Sequence, residues 1–94
     1  MIVSFGSKNT HKIWQGERVK KIPLEIQKVG RRKLRMLNNS QNLSDLRIPP
    51  SNKLERLKGK EKNYYSIRIN DQWRIVFKWE NIHAHEVEIT DYHK

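Results

Sequence analysis

The sequence predicts a compact α+β domain in which two helices from the N-terminal half cover a small, twisted, mainly antiparallel sheet. Apolar residues recur at helical spacing between Pro23 and Asn38, whereas from Tyr65 onward they alternate at period two. With 94 residues and no internal repeat or Gly/Ser-rich linker, a single domain spanning residues 1–94 is expected.

Taken in order, Met1–Phe5 reads as a short strand, and Lys8–Gln15 as a short helix after the Gly6-Ser7 break. Pro23 suits a first helical turn, and Ile22, Ile26, Val29, Leu34 and Leu37 mark the buried stripe of the second helix. Gly30 costs that helix about 1 kcal/mol relative to alanine. Asn38-Asn39-Ser40 ends it. Leu43–Leu46 can form one helical turn, and Pro49-Pro50 then imposes an extended connection. Lys53–Leu57 reads as a strand. Three more follow: Tyr65, Ile67 and Ile69; Trp73, Ile75, Phe77 and Trp79; and Val87 and Ile89 each alternate with polar neighbours. Trp73, Phe77 and Trp79 share the phase of Ile75, which makes them core and not a base-stacking platform.

Composition narrows function. The chain has no cysteine, so disulfides, thiolate chemistry and cysteine-ligated zinc are excluded. No run approaches the ~20 apolar residues of a membrane span, and Met1–Phe5 lacks the long apolar region of a signal peptide. A reducing cytoplasm is the expected location. Twenty Lys and Arg against ten Asp and Glu leave a net charge of +10, which attracts polyanions. The charge is unevenly placed. Residues 17–35 carry eight cations and two anions, residues 47–68 carry seven and two, and residues 71–94 carry three and five. RNA is the expected partner of the basic side.

Register gives a sharper expectation. An Asn70-Asp71-Gln72 loop keeps Ile69 and Trp73 on one face and pairs Ile67 with Ile75, which sets Arg68 opposite Arg74. Like charges opposed across strands are destabilising unless they splay into water or share an anion. An RNA phosphate flanked by Arg68 and Arg74 is the functional reading.

Three stretches carry a family resemblance: Asn52–Gly59 (NKLERLKG), Tyr65–Phe77 (YSIRINDQWRIVF) and Glu86–His93 (EVEITDYH). Together they resemble the C-terminal half of HigB-type toxins, the toxic partners of type II toxin–antitoxin pairs, in the RelE-like superfamily. The resemblance implies a RelE-like fold and ribosome-dependent endonucleolytic cleavage of messenger RNA in the decoding site. It also implies inhibition by an antitoxin of the HigA type bearing a helix-turn-helix DNA-binding domain. The family's functional positions fall on Lys58, Arg74, Asp91, Tyr92 and His93. Many relatives carry His-Pro immediately before the Leu-Lys-Gly element, whereas this chain has Glu55 and Arg56.

These residues fit cleavage in which the RNA 2′-hydroxyl attacks the adjacent phosphate, with no cofactor. Arg74, Lys58 and Arg68 would neutralise the phosphate, with Lys53, Arg56 and Lys60 as further RNA contacts. His93 is the natural acid or base near neutrality; Tyr92 would orient the nucleotide, stack a base or relay a proton. Asp91 would fix His93 or make a structural bond, and Glu55 is a reserve base. His11, His83, His85 and His93 lack a zinc-site spacing, so no metal is expected; His83 and His85 read as surface or loop residues. Arg31-Arg32-Lys33 reads as a solvated helix face that could touch ribosomal RNA. Two other readings stand beside the enzyme: a non-catalytic module that blocks translation by occupying the ribosome, and a subunit built to bind an acidic or amphipathic protein. No helix-turn-helix or zinc-finger pattern points to DNA binding by this chain itself.

Overall fold

A computed structural model describes residues 1–59 and 62–92 of the chain. Two helices, α1 (Lys8–Trp14) and α2 (Leu24–Asn39), pack on an antiparallel sheet of four strands in the order β1 (Glu55–Arg56), β2 (Tyr64–Arg68), β3 (Trp73–Glu80), β4 (His83–Asp91). Two 3₁₀ turns, Leu43–Arg47 and Pro50–Asn52, join the layers.

Alternation in β2 and β3 produces the core. Ile67, Ile75 and Phe77 are fully buried and meet Leu34, Leu37 and Ile26 of α2, with Ile13 of α1 closing one side. Trp73 is buried and Trp79 packs against the cluster, as their phase requires. Gly30 has a packing role that offsets its poor helix propensity. A Cβ there would lie 3.1 Å from Ile89 Cδ1 and 3.4 Å from Ile69 Cδ1, so glycine lets α2 approach the sheet closely.

Several boundaries differ from the sequence reading, each for a local reason. Pro23 is the residue before α2 and not within it, and Gln15 caps α1. Met1–Phe5 is not a strand. It makes two isolated parallel bridges to β4, Ile2 with Ala84 and Phe5 with Val87, because a bulge interrupts β4 between them. Glu86 adopts φ 52° at that bulge, and Val76 pairs with Glu88 whereas Lys78 pairs with His85. The extra residue changes the inward spacing to Ala84, Val87 and Ile89 and hides the early part of β4 from a period-two search. His83 and His85 are therefore half-buried strand residues, not loop residues. The expected strand Lys53–Leu57 shrinks to Glu55–Arg56 because Lys53 turns to a left-handed φ of 44°.

Lys33 also departs from its reading as part of a solvated face. It is buried, and its ammonium donates to Asn52 Oδ1. The Asn52 amide in turn donates to Leu46 O (3.1 Å) and Ile48 O (3.4 Å) and faces Met36 Sδ (3.1 Å). From the second 3₁₀ turn this one side chain satisfies two carbonyls at the end of the first and ties both turns to α2. Burial pushes the Lys33 pKa below its ordinary 10.5, and the neighbouring Arg32 adds to the effect.

The β3–β4 hairpin closes through Asn81 and Ile82, both at positive φ (51° and 59°). Asparagine tolerates that region; a β-branched isoleucine does not. Ile82 is 59% exposed, so little packing compensates. Replacing Ile82 with glycine is expected to raise unfolding free energy by about 1 kcal/mol, read from urea denaturation; an unchanged or lower midpoint would contradict the strain. Lys33 gives a pH test. With the folded pKa depressed, the unfolded chain binds more protons between that pKa and 10.5, so stability should climb with pH through this window. In Lys33→Met that alkaline rise should be reduced relative to wild type, and equal slopes in the two proteins would contradict the buried ammonium.

Candidate functional site

The sheet face turned away from the helices carries the candidate residues. Period-two alternation places Tyr64, Ser66 and Arg68 of β2 there beside Lys78, Val76 and Arg74 of β3, with Glu88 and Thr90 following on β4. The expected register holds: Ile67 pairs with Ile75 and Arg68 with Arg74. The Asn70 side chain sets it, accepting from the backbone N–H of Gln72 and of Trp73, both at 2.8 Å.

The two guanidiniums then part. Arg68 turns toward the hairpin tip and pairs with Asp71, an exposed carboxylate three residues on. Arg74 runs the other way, toward β1. Its Nε donates to Ser66 Oγ (2.8 Å) and its Nη2 to Lys53 O (2.6 Å), with Ser66 O at 3.5 Å. Its Nη1 lies 3.7 Å from Glu55 Oε1. Only 12% of the Arg74 side chain is exposed, so its head is held in one orientation while the Glu55 carboxylate beside it is solvated. The two guanidiniums thus take separate partners, which relieves the like-charge opposition by divergence.

The other candidates distribute around this head. Glu55 pairs with Ser66 across β1 and β2 and shares its face; Arg56 pairs with Tyr65 and takes the opposite parity. Lys53 contributes its carbonyl from the turn after Pro50–Asn52. Lys58 is exposed in the turn after β1, beyond the Leu57 N–H to Tyr64 O bond of 2.9 Å. Tyr64 is two residues from Ser66 along β2, so Leu57 is offset from the Arg74 head by roughly 7 Å in the strand direction and Lys58 lies further still. The chain's tail returns at the other end of the same strands. Thr90 pairs with Arg74, Asp91 pairs with Trp73 and accepts from Gln72 Nε2 (3.1 Å), and the Tyr92 N–H donates to Gln72 O (2.6 Å). β4 ends at Asp91, and Tyr92 is 39% exposed. Lys60 and His93, both expected in the site, lie outside the described residues.

Sequence reasoning missed Ser66 and the Lys53 carbonyl. Ser66 is fully buried although it faces away from the core, because Arg74 and the Lys53 turn cover it. The available signal was a small hydroxyl placed among long polar and aromatic residues in a strand. Among the described residues, no group of three or more His, Asp or Glu could hold a metal ion. No helix there is long and apolar enough to cross a membrane.

Chemically, the arrangement offers an oriented guanidinium with outward N–H groups, a carboxylate beside it and a tyrosine-bearing tail two strands away. An oxyanion is the natural ligand for such a head.

Known proteins share this fold and stretches of this sequence. A solved structure described as the YoeB–YefM complex from Staphylococcus aureus contains a chain of the same fold, with TM-score 0.60 and 21% identity over 100% of this chain and 99% of that one. An uncharacterized protein of Haemophilus influenzae is 50% identical over 66 residues, and the toxin HigB-1 of Vibrio cholerae is 48% identical over 58. Those matches cover 70% and 62% of this chain, and 65% and 61% of the relatives' own lengths. The family model for the RelE-like toxin of the type II toxin–antitoxin system HigB matches residues 3–93. A family match along almost the whole chain, on a fold of two helices over an antiparallel sheet, places this protein in the HigB-like toxin family.

Proposed function

We propose that the protein is a ribosome-dependent messenger RNA endonuclease that arrests translation in the cytoplasm and is held in check by a helix-turn-helix antitoxin of the HigA type. The observation that carries the catalytic reading is the Arg74 head, bonded to Ser66 and Lys53 and set beside Glu55 on the solvent face of the sheet. Family membership supports the toxin role, and the structural neighbour is described as a complex of YoeB with YefM, which supports a protein partner.

In this reading Arg74 receives the scissile phosphate and stabilises the charge that builds as the 2′-hydroxyl attacks. Lys58, offset along the strands, holds the adjoining backbone. Arg68 reaches the same strand of RNA only by leaving Asp71, an exposed pair worth at most about 1 kcal/mol. Proton transfer falls to groups around the head. Glu55, beside the head, would take the 2′-hydroxyl proton, and Tyr92 and His93 would orient the nucleotide and protonate the leaving 5′ oxygen. Cations on α2, where Lys28, Arg31, Arg32 and Arg35 line one groove, are suited to ribosomal RNA.

Primer extension on message from a reconstituted translation reaction tests the proposal. Wild type should produce discrete cuts on translated message and none on free RNA. Arg74→Ala should slow cutting by about 10²–10³-fold, and the Tyr92→Ala/His93→Ala double variant by about 10²–10⁴-fold. Arrest of translation with uncut message would select the occupancy reading instead.

The nucleophile has its own test. A message with a single 2′-deoxynucleotide on the 5′ side of the cut site should remain intact at that site while neighbouring sites are cut. Cleavage there at the normal rate would show that water, not the ribose, attacks.

A further inference from the structure

Ser66 differs from the charged residues of the site: it is fully buried, beneath the Arg74 side chain. An arginine on a strand normally extends from its own position, which for Arg74 is opposite Arg68. Here the head is drawn two residues along, level with Ser66 and Glu55. Two acceptors do this. Ser66 Oγ takes the Nε–H at 2.8 Å, and Lys53 O takes an Nη2–H at 2.6 Å. Lys53 presents that carbonyl because its backbone is left-handed, at φ 44°, directly after Asn52. Asn52 is itself fully buried and bonded to Lys33 of α2.

We infer that Ser66, together with the left-handed Lys53 carbonyl, is the positioning device for Arg74, setting where on the sheet a phosphate is received. The inference rests on the endonuclease reading for its consequence and not for its geometry. With Nε bonded to Ser66 Oγ and Nη2 to Lys53 O and Ser66 O, the guanidinium keeps its Nη1 protons, on the side facing Glu55. A phosphate bound there sits beside the carboxylate proposed as base. Without Ser66 the head is free to swing back toward Arg68, carrying the phosphate away from Glu55. Loss of Ser66 should therefore slow the chemical step more than it weakens RNA binding, since the cation itself remains.

The experiment uses the full chain with Ser66→Ala, Arg74→Lys and both together. In the cleavage assay, Ser66→Ala should lower kcat about ten- to a hundred-fold with KM changed less than about threefold. Lysine has no Nε–H for Ser66 to hold, so in the Arg74→Lys background the same Ser66→Ala change should be silent within about twofold. Equal losses in both backgrounds would mean a merely structural serine and would overturn the inference. A second arm needs no catalysis. The Arg74 Nε–H should give a slowly exchanging NMR signal in wild type that is lost to solvent exchange in Ser66→Ala. Survival of that protected signal in Ser66→Ala overturns the positioning role whatever the activity. A wild type that cuts nothing overturns the endonuclease reading alone, and the NMR arm still decides the role of Ser66.

Discussion

The pairing of Ile67 with Ile75 is the constraint on which the rest of the molecule depends. One face of β2 and β3 must meet Leu34 and Leu37, and a slip of one residue would send Ile67, Ile75 and Phe77 into water. At roughly 1.5–3 kcal/mol for each large apolar side chain, the core leaves no competing register. Asn70 reinforces it locally by accepting two backbone N–H groups at the tip. The polar face has no say in the matter. Arg74 is opposite Arg68 because the core requires it, and the repulsion is handled afterwards by giving each head a separate partner.

A second constraint runs from the helices to the outer face. Asn52 gathers Lys33, Leu46 O and Ile48 O into one buried set of hydrogen bonds, which closes the Pro50–Asn52 turn against α2. Removing any one partner would strand buried polar groups at about 1–3 kcal/mol each, so the turn is held in place. Lys53 is the next residue, and its carbonyl points at Arg74. The orientation of a cation on the solvent side of the sheet is thereby tied to a hydrogen bond on the helix side. Gly30 contributes to the same economy of space by letting α2 lie close to Ile69 and Ile89.

Much of this was legible in the sequence, and the failures share a cause. Periodicity found α2, β2 and β3 because each repeats without interruption, and it found the Arg68–Arg74 opposition because register follows from apolar phase. It failed for early β4, where the bulge at Glu86 adds a residue and breaks the count before His83 and His85 are reached. It failed for Met1–Phe5, whose apolar pattern is real but whose pairing is cut by the same bulge. Lys33 was read as surface because charge type suggests exposure, whereas burial was decided by the distant Asn52 acceptor. In the site, charged and aromatic residues announced themselves. Ser66 and the Lys53 carbonyl did not, because their part is geometric: a small hydroxyl and a backbone oxygen have no compositional signature, and only the fold brings them to Arg74.

The presence of Glu55 beside Arg74 follows the same logic of position over composition. In a chain of net charge +10, a carboxylate beside the best anion-binding group looks self-defeating. The geometry says otherwise. At 3.7 Å, with Glu55 more than half exposed, the contact is a loose surface pair and costs an incoming phosphate little to displace. A phosphate would bring a full charge to a guanidinium already partly closed to water, which favours it over the solvated carboxylate. Displaced but still tethered by its pairing with Ser66 across the strands, Glu55 would remain within reach of the ribose next to that phosphate. On the proposed reading, Glu55 would hold the Arg74 head without RNA and would be released beside the reacting hydroxyl with it, which suits a base at this position. What fixes the place of any group at this position is the two-residue strand β1, paired with Ser66 and Tyr65 of β2.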